Sequence, residues 1–271
     1  MATRSLDRVR DHYAIERGLA DRLRAAPADQ RVKVYGEVYD ELFRSIPDHP
    51  MLSIDPAERK REVLAKLRFV SRFLTKDSCL MEIGAGDCVF SINAAPLIRR
   101  GVVVDVSEVI VSAAADVPNL EFVISDGVSL PVEPGSVDVA YSDQLMEHLH
   151  PDDAEAQLVN VAKAIRPGGV YICITPNRFS GPHDVSRGFD DVATGLHLRE
   201  YSGRELCQLL LGVGFRKVAF YAGGRGHYIR IPLSIALLAE TVFARLPRSI
   251  RKRVPAIAAH LICGLNVVAT R

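Results

Sequence analysis

From Cys79 onward, short and continuous apolar runs alternate with stretches of helical periodicity. The runs are rich in β-branched residues and do not alternate strictly with polar ones, which is typical of parallel strands covered on both faces. Parallel strands need crossover connections, which are almost always right-handed, so the pattern predicts a doubly wound α/β sheet. The predicted strands are Cys79–Ile83, Val102–Val106, Leu120–Ile124, Val137–Tyr141, Val170–Thr175, one near Phe215–Phe220, and a last one at Leu261–Thr270.

The segments around this sheet are predicted to be helical. Residues 1–75 mix charged and apolar side chains at helical spacing, with helices near 2–25, 31–45 and 56–74. We therefore predict an N-terminal helical cap over 1–75 and a main domain over 76–271. Ser202 and Glu205 form a capping-box pattern that predicts a helix over Ser202–Leu211. A helical insertion is predicted over 222–260, before the last strand.

Composition narrows the class of protein. The 34 lysines and arginines nearly balance the 33 aspartates and glutamates, so the chain lacks the field of a dedicated nucleic-acid binder. Five scattered cysteines without a Cys-x-x-Cys pair indicate reduced thiols and a cytoplasmic protein. The N-terminus has no apolar run, and no stretch reaches the roughly 18–20 apolar residues of a membrane span, so we expect neither a secretory signal nor a span.

The strongest local motif is the segment Leu80–Asp87, in which a predicted strand runs into Gly84-Ala85-Gly86. Glycines here allow a sharp turn and let a ligand approach backbone N–H groups closely. Asp105 ends the second predicted strand, 21 residues after Gly84, where a carboxylate can accept both hydroxyls of a ribose. Both features also have a purely structural interpretation, as a tight turn and as an acid at the start of a helix before Ser107.

Two details distinguish the nucleotide cofactors that such a strand–turn–helix unit can hold. A dinucleotide fingerprint requires a third glycine where this chain has Val89. Glu82 also precedes the turn, and a pyrophosphate gives no reason for an acid there. S-adenosylmethionine (SAM) has no phosphate and carries a sulfonium and an ammonium group, which an anionic edge attracts. The charges therefore favour SAM, and an NAD(P)-dependent oxidoreductase is the alternative.

The segment Glu82–Asp87 resembles the first motif of class I SAM-dependent methyltransferases, an acid followed by Gly-x-Gly. Further segments resemble the later motifs of this family and follow in the family's order. The combination is similar to the small-molecule branch often called type 11. The segments are Asp105, Ser125–Gly127 after the third strand, Ser136–Ser142 in the fourth, the Glu-His-Leu segment Gln144–Leu149, and Ala164–Gly169 before the fifth.

The resemblance implies a Rossmann-like sheet of seven strands, with the last strand antiparallel and inserted near the edge. It further implies that Asp105 binds the ribose and that Asp126 binds the exocyclic amine of adenine. The cofactor-binding residues expected on this basis are Glu82, Gly84, Ala85, Gly86, Asp105, Val106, Asp126, Gly127 and Ser142.

The implied reaction is an in-line displacement at the sulfonium methyl, and much of the catalysis comes from holding the reacting atoms close and aligned. A hydroxyl acceptor would also benefit from a general base. We predict His148 as this base, because it follows the fourth strand at the open edge of the sheet and histidine titrates near neutrality. His183 and His197 are alternative bases, and His148 could instead cap or pack beneath the cofactor.

A metal site is the less favoured interpretation of the same segment. Some relatives bind a divalent ion through Glu-x-x-Glu-His, where this chain has Gln144, Glu147 and His148. One ligand is thereby weakened, and Mg²⁺ would need further oxygens such as those of Asp143 or Asp184. We expect no metal, and Glu147 and His148 are the candidates if one binds.

Two later segments concern the acceptor and partners. The loop 176–200 is rich in polar residues, which suits a lid that hydrogen-bonds a hydroxylated acceptor, although a plain solvated loop has the same composition. The apolar stretch Ile229–Leu246 is predicted to be helical, and basic residues follow it. Such a segment can contact an anionic membrane, pack on its own domain, or join a homodimer. The basic residues are Arg248, Arg251, Lys252 and Arg253.

From these features we predict O-methylation of a hydroxyl on a sugar, glycan or glycolipid, within polysaccharide biosynthesis. The alternatives are N- or C-methylation of another metabolite, such as a quinone or polyketide, and a non-catalytic SAM-binding scaffold. The intact glycine and acid positions argue against a scaffold, since a site that had lost its function would not need to keep them.

Overall fold

The computed structural model describes residues 4–50, 54–106, 117–251, 253–254 and 264–271. Within these residues one sheet of eight strands has the order β3-β2-β1-β4-β5-β8-β6-β7. The pairs from β3 to β5 are parallel, and those that join β5, β8, β6 and β7 are antiparallel. The strands are β1 Cys79–Ile83, β2 Arg100–Asp105, β3 Leu120–Ile124, β4 Val137–Asp143, β5 Ile165–Thr175, β6 Lys217–Gly224, β7 His227–Ile231 and β8 Leu265–Thr270.

The sheet confirms the predicted fold class. Strand order reverses between β1 and β4, which opens a crevice at the carboxyl ends of these two strands. The last strand is antiparallel and lies between β5 and β6, as expected. The first residues of the predicted strand Leu261–Thr270 fall outside the described residues.

An eighth strand was not predicted. Residues 229–231 were assigned to an apolar helix, but they belong to β7, which forms a hairpin with β6. The two-residue turn, Arg225 and Gly226, has positive φ at both positions, as a type I′ turn requires. Pro232 then caps the helix that follows, so the apolar stretch is divided between a strand and a helix.

Eight α-helices are described in these parts of the chain. The first two, α1 and α2, pack against each other, and α3 packs on one face of the sheet, where Val63 and Leu67 meet Leu80 and Ile172. The division of the chain at residue 75 stays a prediction. The helices are α1 Leu6–Ala25, α2 Ala28–Ser45, α3 Pro56–Val70, α4 Val89–Ala94, α5 Pro151–Ala164, α6 Gly203–Gly212, α7 Leu233–Arg245 and α8 Arg248–Arg251.

A buried ion pair joins the N-terminal helices to the sheet domain. Arg31 of α2 donates through Nε and Nη2 to the two carboxylate oxygens of Asp153 in α5, at 2.7 Å each. Tyr35 of α2 donates to the same carboxylate and accepts from the backbone of His150. These contacts place α2 over the region that follows β4. None of the described helices is both long and apolar enough to cross a membrane.

Candidate active site

The glycine turn after β1 forms the floor of the crevice. Gly84 has φ +71° and donates its N–H to the carbonyl of Val104, 2.8 Å away. This positive φ favours glycine, and a Cβ here would also lie 2.9 Å from the side chain of Leu145, which would have to shift. Gly86, with φ +53°, donates its N–H to Oδ2 of Asp105 at 3.0 Å. The turn is thereby fixed against the end of β2.

Glu82 lies beneath this turn and is 5% exposed. Its carboxylate accepts hydrogen bonds from the backbone N–H and hydroxyl of Ser91 in α4. Burial raises the pKa of Glu82 to about 8, although the bonds from Ser91 oppose this. No sequence motif indicates Ser91 as a partner of Glu82.

Two other acids beside the crevice, Asp87 and Asp143, have cationic partners. Arg59 of α3 pairs with Asp87, and Lys66 of the same helix pairs with Asp143. Within the described residues, no lysine or arginine forms an ion pair with Glu82. A buried carboxylate without a cationic partner favours a cationic ligand, since the ligand's charge would offset the cost of ionising the carboxylate. The α-ammonium of SAM is such a cation.

The predicted ribose and adenine positions lie at the ends of β2 and β3. Asp105 is nearly buried, and its backbone carbonyl accepts from the N–H of Ser125 at 2.9 Å. Val106 is 43% exposed and lies beside Gly127, where a Cβ would come within 3.7 Å of the valine side chain. The same position would lie 3.9 Å from the ring of Tyr35, so apolar groups border Gly127.

Two other predicted cofactor residues are engaged within the protein. The carboxylate of Asp126 accepts from the backbone N–H groups of Val128 and Ser129 and from the Ser129 hydroxyl. Partial burial opposes ionisation of Asp126, but these bonds outweigh it and lower the pKa. The hydroxyl of Ser142 lies 2.6 Å from that of Tyr171 in the core. Cofactor contacts of Asp126 and Ser142 stay predictions.

The structure brings together two of the three predicted catalytic histidines. The rings of His148 and His197 meet edge to face, with centroids 4.8 Å apart. Nδ1 of His148 lies 3.1 Å from the Tyr39 hydroxyl and 3.1 Å from the carbonyl oxygen of Leu196. Burial and the neighbouring His197 lower the pKa of His148 to about 3. His148 is therefore held neutral in this position.

His197 has the opposite electrostatic environment. Its Nδ1 lies 2.8 Å from Oε1 of Glu200. Burial opposes its protonation, but Glu200 and Glu147 outweigh burial and raise the pKa of His197. His183 joins the same group, because its backbone N–H donates to Glu200 at 2.7 Å, while burial lowers the pKa of its ring. No sequence motif indicates Glu200, whose carboxylate links these two histidines.

Glu147 completes the cluster and is fully buried. One carboxylate oxygen accepts from the Thr175 hydroxyl at 2.9 Å, and the other has no hydrogen-bond partner among the described residues. Burial raises the pKa of Glu147 to about 7. A buried carboxylate oxygen without a partner can accept a hydrogen bond from a donor group on a ligand.

The same cluster is where the described residues could hold a metal at this edge. Glu147, His148 and His197 each offer one ligand atom, and these atoms lie within 4.8 Å of one another. Two nitrogens and one carboxylate suit a borderline ion such as Zn²⁺ better than Mg²⁺. Asp143 is paired with Lys66, and Asp184 accepts from Ser186 and Gly195.

The loop 176–200 carries His183 and His197 and is bonded to α1. Leu196 donates its N–H to Glu16 at 2.9 Å, and Arg24 donates to the carbonyl oxygens of Thr194 and Gly195. At its start, Asn177 donates to Glu240 of α7 at 2.7 Å. The predicted lid is therefore held at both of its ends.

The reversed strand order, the glycine turn after β1, the acid at the end of β2 and the antiparallel last strand match the fold expected of a class I methyltransferase. Residues 80–169 match the family model described as a methyltransferase domain. The chain is 32% identical over 159 residues to a probable SAM-dependent methyltransferase of Mycolicibacterium smegmatis, a match covering 58% of each chain. A probable SAM-dependent methyltransferase of Mycobacterium tuberculosis is 30% identical over 177 residues, which cover 65% of this chain and 61% of that protein.

Among solved structures, the methyltransferase bound to the Trm112 activator of Haloferax volcanii is similar to this chain with a TM-score of 0.57. The sequences are 20% identical, and the match covers 79% of this chain and 91% of the other, so this likeness concerns the fold alone. The chain spans 58% and 61% of the lengths of its mycobacterial relatives. The matches to the domain model and to the two mycobacterial relatives support a SAM-dependent methyltransferase domain in this chain, and the predicted fold is confirmed.

Proposed function

We propose that the chain transfers the methyl group of SAM to a hydroxyl of a small-molecule acceptor, a sugar, glycan or glycolipid. The observation that carries this proposal is the His197–Glu200 pair of the polar loop 176–200, which meets His148 just after β4, the strand next to β1 and its glycine turn. When bound, SAM supplies an electrophilic methyl group on a positively charged sulfur. The tasks left to the protein are to orient both reactants and to remove one proton.

The crevice fits SAM for reasons of charge and space. Glu82 would face the α-ammonium group, Asp105 the ribose, and Val106 with Gly127 the adenine. Gly84, Ala85 and Gly86 bring the backbone close to the ligand without side chains in the way. A dinucleotide would place its pyrophosphate against Glu82, which opposes the NAD(P)-dependent alternative.

We propose His197 as the base that accepts the acceptor proton. Glu200 fixes its Nδ1–H, so the lone pair of Nε2 is available, and the raised pKa of His197 makes it a stronger base than His148. The acceptor oxygen forms a bond to the methyl carbon as the carbon–sulfur bond breaks, and the proton passes to Nε2. In this scheme, His148 positions the ring of His197.

The reaction belongs, as part of the same proposal, to polysaccharide biosynthesis in the cytoplasm. The four described cysteines are free and buried, as a reducing compartment would allow. The cofactor is SAM, and no metal is required by this scheme.

The test is transfer of a labelled methyl group from SAM to a panel of sugars, glycolipids, amines and carbon nucleophiles. We expect the label on hydroxyl acceptors. Label on amines or activated carbons alone would favour N- or C-methylation, and tight NAD binding without SAM binding would indicate an oxidoreductase.

The role of His197 is tested by His197→Gln, with His148→Gln as the matched variant. We expect His197→Gln to lower kcat by about 100-fold or more with little change in SAM affinity. A larger loss in His148→Gln than in His197→Gln would assign the base to His148. Unchanged turnover in both variants would direct attention to His183.

A further inference from the structure

The helix α7 exposes an apolar ridge, which we define as Ile235, Leu238 and Val242. These side chains are 56%, 64% and 55% exposed and follow one another at spacings of three and four residues, so they lie on one face. The opposite face buries Ala236 and Phe243. A surface helix of a globular domain ordinarily turns polar residues outward, so this ridge requires an explanation.

The sequence around α7 is strongly basic. Residues 225–271 contain eight arginines and lysines and a single acid, Glu240. Glu240 is buried and accepts from Asn177 and from the backbone N–H of Gly203. The basic residues are Arg225, Arg230, Arg245, Arg248, Arg251, Lys252, Arg253 and Arg271.

Arg245 is exposed on the same face as the ridge, three residues after Val242 and seven after Leu238. Arg230 is exposed on β7, next to Ile229, which is 69% exposed. Apolar side chains with arginines beside them are the composition of a helix that lies in a membrane interface. Positive charges near an anionic lipid surface add to the affinity.

We propose that α7 docks on a membrane surface containing anionic lipids, with the ridge in the headgroup region and Arg245 at lipid phosphates. The charge distinguishes this occupant from a second copy of the chain. A twofold dimer through this face would bring two basic segments together and repel itself. The 13-residue helix is too short to span a bilayer.

The proposal goes beyond methyl transfer and does not depend on it. It has one consequence that rests on the proposed function. Glu240 of α7 and Arg251 of α8 bond to Asn177 and Phe179 at the start of the loop 176–200. Docking would therefore bring the loop near the lipid surface, where a glycolipid headgroup is found.

The test is co-sedimentation of the full chain with vesicles of phosphatidylglycerol and phosphatidylcholine, or of phosphatidylcholine alone. We expect binding to the anionic vesicles that weakens with salt. Leu238→Glu should weaken it at least tenfold and Arg245→Gln about fivefold. Leu64→Glu, at an exposed leucine of α3, is the matched control and should bind like the wild type.

Each variant is first checked for folding by its thermal melt and by S-adenosylhomocysteine binding. Absence of binding to anionic vesicles, or wild-type binding by Leu238→Glu, would overturn the proposal. A dimer in sedimentation velocity that Leu238→Glu dissociates would assign the ridge to a second copy instead. Vesicle binding is measured without a methyl acceptor. Its result can therefore be interpreted even if the proposed methyl transfer is not observed.

Discussion

Glu82 is the residue whose chemistry changes most when a cationic ligand arrives. With a pKa of about 8 it is mostly protonated at pH 7, whereas an ammonium group beside it would favour the ionised form. We expect SAM affinity to rise from pH 6 to about 7.5 by nearly tenfold per pH unit, until the ligand's own α-amine titrates.

Calorimetry in buffers of different ionisation enthalpy measures both this affinity and the proton released on binding. Glu82→Gln should bind with little pH dependence and no proton release over this range. Equal pH dependence in the variant would assign the titrating group elsewhere.

Asp105 allows a direct test of the ribose position. Asp105→Asn keeps the shape of the side chain but removes its charge and one acceptor, so SAM affinity should fall by about 1.5–3 kcal/mol. Titration calorimetry measures the change, and Asp77→Asn, at an exposed residue before β1, is the control. Unchanged affinity in Asp105→Asn would show that the ribose is held by other groups.

The relative positions of residues are easiest to predict from sequence within one short segment. Glu82 and Gly84 belong to one strand and its turn, so their spacing along the chain fixes their spacing in space. His197 meets Glu147 and His148 only after the loop 176–200 has folded against the segment that follows β4. His148 in turn reaches Tyr39 only when α2 packs at the same place. No spacing in the sequence records such contacts.

Among the elements, α6 was predicted with its cap. Ser202 accepts from the N–H of Glu205, and Glu205 returns a bond to the backbone of Ser202, as the capping box requires. Ser202→Ala should destabilise the fold by about 1 kcal/mol and lower Tm by about 2–4 °C. Differential scanning calorimetry measures the shift, with the exposed Ser249→Ala as control. Equal shifts in the two variants would contradict a stabilising cap.

The strand β7 shows where element prediction fails. Its few residues continue directly into α7, so the apolar run carries no boundary except Pro232. The turn at Arg225 and Gly226 was the available signal, but arginine is uncommon at positive φ. Tertiary pairing with β6 decides the conformation here, rather than local propensity.

At the scale of the whole molecule, the ion pair between Arg31 and Asp153 tests whether the N-terminal helices and the sheet unfold together. Asp153→Asn leaves the buried arginine with only the exposed carboxylate of Asp152, 3.9 Å away, which should lower the free energy of unfolding by about 3 kcal/mol. Urea denaturation followed by two spectroscopic probes measures it.

Glu37→Gln, in an exposed ion-pair cluster on the same helix, should change stability by less than about 1 kcal/mol. A change in Asp153→Asn as small as in this control, or two separate transitions in the wild type, would mean that the N-terminal helices fold as an independent unit.

The attachment of the loop 176–200 to α1 at Leu196 and to α7 at Asn177 has a mechanical consequence. A loop that is hydrogen-bonded to a helix near each end cannot open by moving outward at one end alone. To widen the gap beneath it, α1 or α7 must shift as well, so the size of molecule admitted depends on helices that touch neither reactant. Changes in acceptor preference among relatives would then accumulate in those two helices while the glycine turn stays the same.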